Sequence, residues 1–137
     1  MEVNIFFEDV TVPGLNSEFF VEWFQKVCMK ETKVLGSVNV ILCSDDYLLE
    51  LNSSHLQHDY YTDIITFDYT VENEVSGDLF ISWDRVVDNA QSFKVDVLDE
   101  FHRVCVHGLL HLCGYKDKTE SEEVLMRKKE DESLLLR

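Results

Sequence analysis

Residues 95–113 read VDVLDEFHRVCVHGLLHLC, a long helical pattern that runs on until Gly114. It predicts one long helix near the C-terminus that needs a surface to pack on. Glycine is well suited to end such a helix, because without a Cβ it adopts the left-handed conformation of a C-cap.

The rest of the chain supplies the surface. VNIFF, residues 3–7, reads as a strand, and Pro13-Gly14 as a turn. Asn16 and Ser17 offer N-caps to a helix over 17–33, with Phe20, Trp23, Phe24 and Val27 at helical spacing. SVNVILCS (37–44) alternates Val38, Val40 and Leu42 with polar or smaller residues, as a half-buried strand does. Ser44 followed by DDYLLELN predicts a short capped helix with acids in its first turn. Residues 55–62 read as a loop. TDIITFDYT (62–70) and GDLFISW (77–83) read as two strands of a hairpin joined by a polar turn. Ser82 caps a further helix with Asp84 in its first turn, and Thr119 with Glu122 forms a capping box for a last one. Gly77 and Asp78 are expected to shape the start of the hairpin's second strand. Strands and helices alternate around one hairpin, so the expected fold is α+β: a small mixed four-stranded sheet with packed helices, in a single domain over residues 1–137.

Length and charge bound the function. A chain of 137 residues buries enough surface for a core without staples. Cys28, Cys43, Cys105 and Cys113 form neither a CxxC pair nor a disulfide framework, which implies buried, reduced thiols and a cytoplasmic protein. The N-terminus carries no signal peptide, and no segment is long and apolar enough to span a membrane. The net charge of −15 repels polyanions, so DNA is not an expected partner and RNA is not reached by the overall field. The bases do gather locally. Lys26, Lys30 and Lys33 are spaced to share a helix face, and Lys116, Lys118, Arg127, Lys128 and Lys129 follow the long helix.

Within that helix, His107 and His111 stand one turn apart on one face, and two neutral imidazoles there can hold one cation. Beyond Gly114 the chain turns back, and Asp117 can reach the same face. Two histidines and a carboxylate leave a position open for water, as in catalytic zinc sites; zinc leads, with manganese or nickel as alternatives. The spacing H-x-x-x-H-x-x-G-x-x-D lies close to the long zinc signature of metzincin peptidases. Their general base follows the first histidine; here that position is Gly108, which cannot move a proton. His102 falls off the ligand face and reads as a core residue, and His55 and His58 read as loop surface.

HGLLHLCGYKD with the following TESEEVLMRKKE resembles the C-terminal signature of the YbeY endoribonuclease family, the rRNA maturation factors. LNSSHLQHDYYTDIITFDY (51–69) and SGDLFIS (76–82) resemble two further family stretches in the same order. The resemblance implies a single-domain α+β fold, one zinc ion and a single-strand-specific endoribonuclease acting in 16S rRNA 3′-end maturation and ribosome quality control. It implies small-subunit rRNA and the small ribosomal subunit with its proteins as partners. His107 and His111 match the first two metal ligands.

Two departures stand out. The family carries a histidine where this chain has Asp117, still a competent ligand but one that makes the cation less acidifying toward water. It carries an arginine, a natural phosphate clamp, where this chain has Leu56; Lys116 and Lys118 are the nearest substitutes in sequence. Asp63 and Asp59 are candidate bases, and Asp63 is also a candidate hydrogen-bonding support for the ligands. Tyr115 is expected to pack beside the helix end. Two other functions compete: a zinc hydrolase of non-RNA substrates, and a non-catalytic ribosome-assembly factor with a structural metal.

Overall fold

The computed structural model describes residues 1–56 and 61–137, with the side chains of His55 and Leu56 outside that description. Nine elements follow one another among the described residues: β1 (Glu2–Phe7), α1 (Ser17–Lys30), β2 (Val34–Cys43), α2 (Asp45–Leu56), β3 (Ile64–Asp68), β4 (Glu74–Ser82), α3 (Trp83–Phe93), α4 (Val97–Leu112) and α5 (Glu120–Leu134). The strand order is β1-β2-β4-β3. β1 and β4 both run parallel to β2, and β3 runs antiparallel to β4 as the expected hairpin. The α+β class and the mixed four-stranded sheet therefore stand as read from the sequence.

Burial explains the order. Val38, Val40 and Leu42 on β2 are fully buried on one face, and Ile41 and Cys43 are buried on the other, as a central strand requires. One face joins Phe20, Trp23 and Phe24 of α1 and Phe101, Leu109 and Leu110 of α4 in the main core. The other packs Cys43, Ile65 and Phe80 against Leu48 of α2. Three layers result, with α2 alone on its side among the described helices. No described helix is long and apolar enough to cross a membrane.

The caps fall where side-chain chemistry placed them. Asn16 accepts from the Glu18 amide, Ser44 from Tyr47 and Ser82 from Arg85. Thr119 and Glu122 form the reciprocal box. Several boundaries move. α1 stops at Lys30 and Thr32 turns the chain at φ 56°, so Lys33 does not share a helix face with Lys26 and Lys30. α2 runs on to Leu56, taking the first two residues of the expected 55–62 loop; residues 57–60 lie outside the described ones. The polar turn at 71–77 shrinks, because Glu72 at φ 54° reverses the chain and β4 already begins at Glu74. α4 begins at Val97, two residues late, because Lys94 at φ 56° ends α3 just before it.

Gly77 and Asp78 thus lie inside β4 and not at its start. The Asp78 carboxylate accepts from Asn39 on β2 at 2.9 Å, and Asn39 accepts from Asn4 on β1 at 3.2 Å. Gly108 sets the height of α4 over the sheet. A Cβ there would stand 2.7 Å from Ile64 Cδ1 and 2.8 Å from Leu79 Cδ2. With hydrogen in that place, the helix rests directly on β3 and β4, and His107 and His111 come out beside the edge strand β3.

Candidate metal centre

α4 ends in a full Schellman motif. The Tyr115 amide donates to Leu110 O at 3.1 Å, the Gly114 amide to His111 O at 3.0 Å, and Gly114 sits at φ 108°. The reversal sends residues 115–118 back along the helix. Tyr115 fastens that return: its ring packs on the core, its hydroxyl bonds Glu31, and Lys129 Nζ lies 5.6 Å over it. Packing beside the helix end is therefore its role, as expected.

Asp117 is thereby delivered to the histidines. His107 Nε2 and His111 Nε2 stand 3.1 Å apart, and Asp117 Oδ2 lies 3.2 Å from each. Among the described residues these three form the one group of potential ligands that can share an ion. The ring tautomers are set from behind. His107 Nδ1 meets the Glu130 carboxylate at 2.6 Å and His111 Nδ1 meets the Tyr115 carbonyl at 2.9 Å. Both partners only accept, so each Nδ1 carries its proton and each Nε2 of a neutral ring presents a lone pair. Two lone pairs and a carboxylate oxygen then face one another at contact distance. That arrangement is repulsive on its own and attractive around a shared cation.

The triangle also has the right size. Three donors about 2.05 Å from a tetrahedral ion stand roughly 3.3 Å apart, and about 3.0 Å apart around a slightly larger octahedral one. The observed edges fall between these values, so the donors fit a first-row divalent ion without rearrangement. Imidazole and carboxylate together suit zinc or manganese.

Glu130 is the site residue that sequence reasoning missed. Its side chain is 7% exposed and is held from the other side by Arg103 Nη1 at 2.9 Å. On α5 it shares the inward face with Met126 and Ser133, a spacing that the many charges of that helix hide in the sequence. Burial works against a charge on His107, but the bonded Glu130 and the nearby Asp63 and Asp117 outweigh it and raise the His107 pKa.

The three donors line a cleft of about 470 Å³ whose opposite wall is β3 and the residues leading into it, with Asn52 of α2 at one side. Asp63 lines the same cleft, outside the three-ligand group. Burial raises its carboxyl above the ordinary value against the opposing pull of His107. Lys118 also lines the cleft, whereas Lys116 does not. Asp59 and His58 lie outside the described residues, as do the side chains of His55 and Leu56. His102 sits apart, packed among Phe19, Phe20, Trp23 and Phe101. The cysteines are all free; Cys28, Cys43 and Cys105 are buried and Cys113 half-buried.

The family model described as Endoribonuclease YbeY matches residues 7–136. The chain belongs to the YbeY family. Proteins named endoribonuclease YbeY from Flavobacterium johnsoniae and Bacteroides thetaiotaomicron are similar to it. The first is 50% identical over 121 residues, covering 88% of this chain and 87% of that one. The second is 45% identical over 137 residues, covering 100% of both. A solution structure of a Thermotoga maritima protein superposes with a TM-score of 0.68 at 30% identity, covering 98% of this chain and 87% of that one. YbeY membership and the α+β fold thus agree with the reading of HGLLHLCGYKD.

Proposed function

We propose that this chain is a metal-dependent endoribonuclease that cuts single-stranded RNA, with small-subunit rRNA as substrate and the assembling small ribosomal subunit as the setting, in the cytoplasm. The family supports the ribonuclease class. The observation that carries the metal dependence is the convergence of His107, His111 and Asp117 on one point in the wall of an open cleft.

In this reading the three side chains hold one divalent ion, with zinc favoured by the donor set. Such an ion polarises a phosphoryl oxygen and lowers the pKa of bound water. The chain's own groups do the rest. Glu130 and the Tyr115 carbonyl hold both imidazoles in the tautomer that offers Nε2 to the cleft. Asp63, with its raised pKa, is placed to take a proton from an attacking hydroxyl beside His107. Lys118 supplies positive charge at the cleft wall. A protein partner on the ribosome brings the substrate, since a net charge of −15 does not attract it from afar.

The test pairs elemental analysis with RNA cleavage by wild type, by chelated wild type and by His111→Ala. We expect one divalent ion per chain. We also expect cleavage to drop on the order of 10³-fold in both treated samples, the scale of a Lewis acid worth several kcal/mol, with the fold retained. A variant that loses its ion and unfolds would assign the metal a structural role and favour a non-catalytic assembly factor. Chelator-sensitive hydrolysis of esters with none of RNA would favour a different hydrolase.

A further inference from the structure

The cleft has a second lobe. A cavity of about 350 Å³ bounded by α3, α4 and α5 shares Asp63, His107 and Asp117 with the main one. The two lobes differ in the cations they carry. Among the described residues, Lys118 is the only lysine or arginine lining the main cleft, and it stands with Asp63, Asp68 and Asp117. The second lobe carries two guanidinium groups, Arg103 and Arg127.

Arg103 is already engaged. Its terminal nitrogens donate to Glu130 at 2.9 Å and to Asp131 at 2.7 Å. Arg127 is not. Its side chain is 64% exposed, and its ion-pair contact among the described residues is Glu130 at 3.8 Å. That distance is too long for a hydrogen bond, and Glu130 is in any case occupied by Arg103 and His107. Of the lobe's other carboxyls, Asp63 and Asp117 are shared with the main cleft, and Glu100 is buried, its pKa raised by burial and Asp63 against the pull of Arg103 and Arg127. Asn89 of α3 adds a neutral amide donor to the wall. A planar fork of donors, held by no hydrogen bond among the described residues and lining a lobe that opens onto His107 and Asp117, suits an anion with several oxygens.

We propose that Arg127 is a phosphate clamp: it holds a backbone phosphate flanking the bond that is cut and leads the strand through the second lobe past His107 and Asp117. This rests on the ribonuclease reading. It places on α5 the cation that Leu56 does not supply from the end of α2. Arg127 is a positioning and affinity residue, and it touches no reacting atom.

The experiment measures binding of a short single-stranded 2′-O-methyl oligoribonucleotide by fluorescence anisotropy over a range of KCl concentrations, without added metal. That probe keeps every phosphate and is not cut through its 2′ oxygens. Arg127→Ala is expected to weaken binding roughly tenfold. It should also flatten the plot of log affinity against log salt by about 0.7, one phosphate contact on a single strand. Arg127→Lys should restore the slope but not the full affinity, since a point charge lacks the fork. Lys128→Ala removes the same charge from a part of α5 that lines neither lobe, and should move neither quantity. With cleavable RNA and metal, Arg127→Ala should raise KM and leave kcat near wild type. Arg127 is exposed on a helix, so alanine keeps the fold.

An unchanged slope in Arg127→Ala, or an equal drop in Lys128→Ala, overturns the clamp. Wild-type cleavage with a slope independent of Arg127 overturns the clamp alone. Binding that depends on Arg127, with no cleavage by wild type, overturns the ribonuclease reading and leaves the phosphate contact supported.

Discussion

His102 and His107 belong to the same helix, five residues apart, and their surroundings act on them in opposite directions. His102 looks away from the cleft into a cluster of Phe19, Phe20, Trp23 and Phe101, and its Nδ1 accepts from Arg137 at 2.9 Å. Burial, helped by Arg137, lowers its pKa to about 4. His107 looks into the cleft, where the Glu130 carboxylate raises its pKa against burial. Burial alone does not separate them, since it disfavours charge on both. The carboxylate behind the ring does. A histidine backed by an acid is oriented and made a better electron donor; one backed by a guanidinium is kept neutral and packed.

Removing that acid is the sharpest way to break the contrast. In Glu130→Ala the His107 ring loses its orienting acceptor, and Arg103 loses one of its two carboxylates. Affinity for zinc, measured by competition with a chromophoric chelator, should fall about 10- to 100-fold, the usual scale for a lost outer partner. Glu130→Gln keeps an oxygen acceptor and should lose less. Equal affinity in wild type and Glu130→Ala would mean that the acid serves Arg103 alone.

Glu130 also shows where the sequence ceases to inform. The helices, their caps and the hairpin are local facts, written in periodicity and in residues such as Asn16, Ser82 and Thr119. The histidine pair, the helix-ending Gly114 and Asp117 lie within eleven residues, so one motif displays them. Glu130 meets His107 only because α5 packs back on α4, and ESEEVLMRKKEDESL has too many charges to mark one acid as inward. Arg127 and the second lobe are tertiary for the same reason. Lys33 errs in the other direction: a short-range pattern placed it on a helix that Thr32 had already ended.

The opposite arm of the comparison predicts a pH effect. His102 has a folded pKa of about 4 against an ordinary value of 6.5. A histidine with a lowered pKa binds fewer protons folded than unfolded in that interval. Its contribution to stability is therefore complete above pH 6.5 and is lost as the pH falls toward 4. The loss should be on the order of 2 kcal/mol, allowing for a ring that is only partly enclosed. In His102→Phe, which keeps the ring packing, the difference from wild type in urea-derived stability should shrink by that amount between pH 7 and pH 4. The difference is the safe quantity, because the raised carboxyls of Asp63 and Glu100 titrate nearby with the opposite sign. Parallel pH profiles would show that His102 protonates freely in the folded chain.

A third face of α4 supplies the smallest effect. Gly108 follows His107 directly, yet it faces neither the cleft nor the aromatic cluster; the place of its missing Cβ lies against Ile64 and Leu79. The atoms it would meet, Ile64 Cδ1 at 2.7 Å and Leu79 Cδ2 at 2.8 Å, are the mobile ends of their side chains. In Gly108→Ala they must yield, at a cost of about 1–2 kcal/mol for an overfilled contact. That cost is partly offset by roughly 1 kcal/mol of better helix propensity. Net stability should thus change by about 1 kcal/mol or less. The more telling measurement is metal affinity, because lifting α4 off β3 and β4 carries both imidazoles with it while the return loop keeps Asp117 tied to α1 and α5 through Tyr115. A measurable loss of affinity at nearly unchanged stability would show that this glycine sets the helix height the three donors need. Unchanged affinity would show that the loop follows the helix.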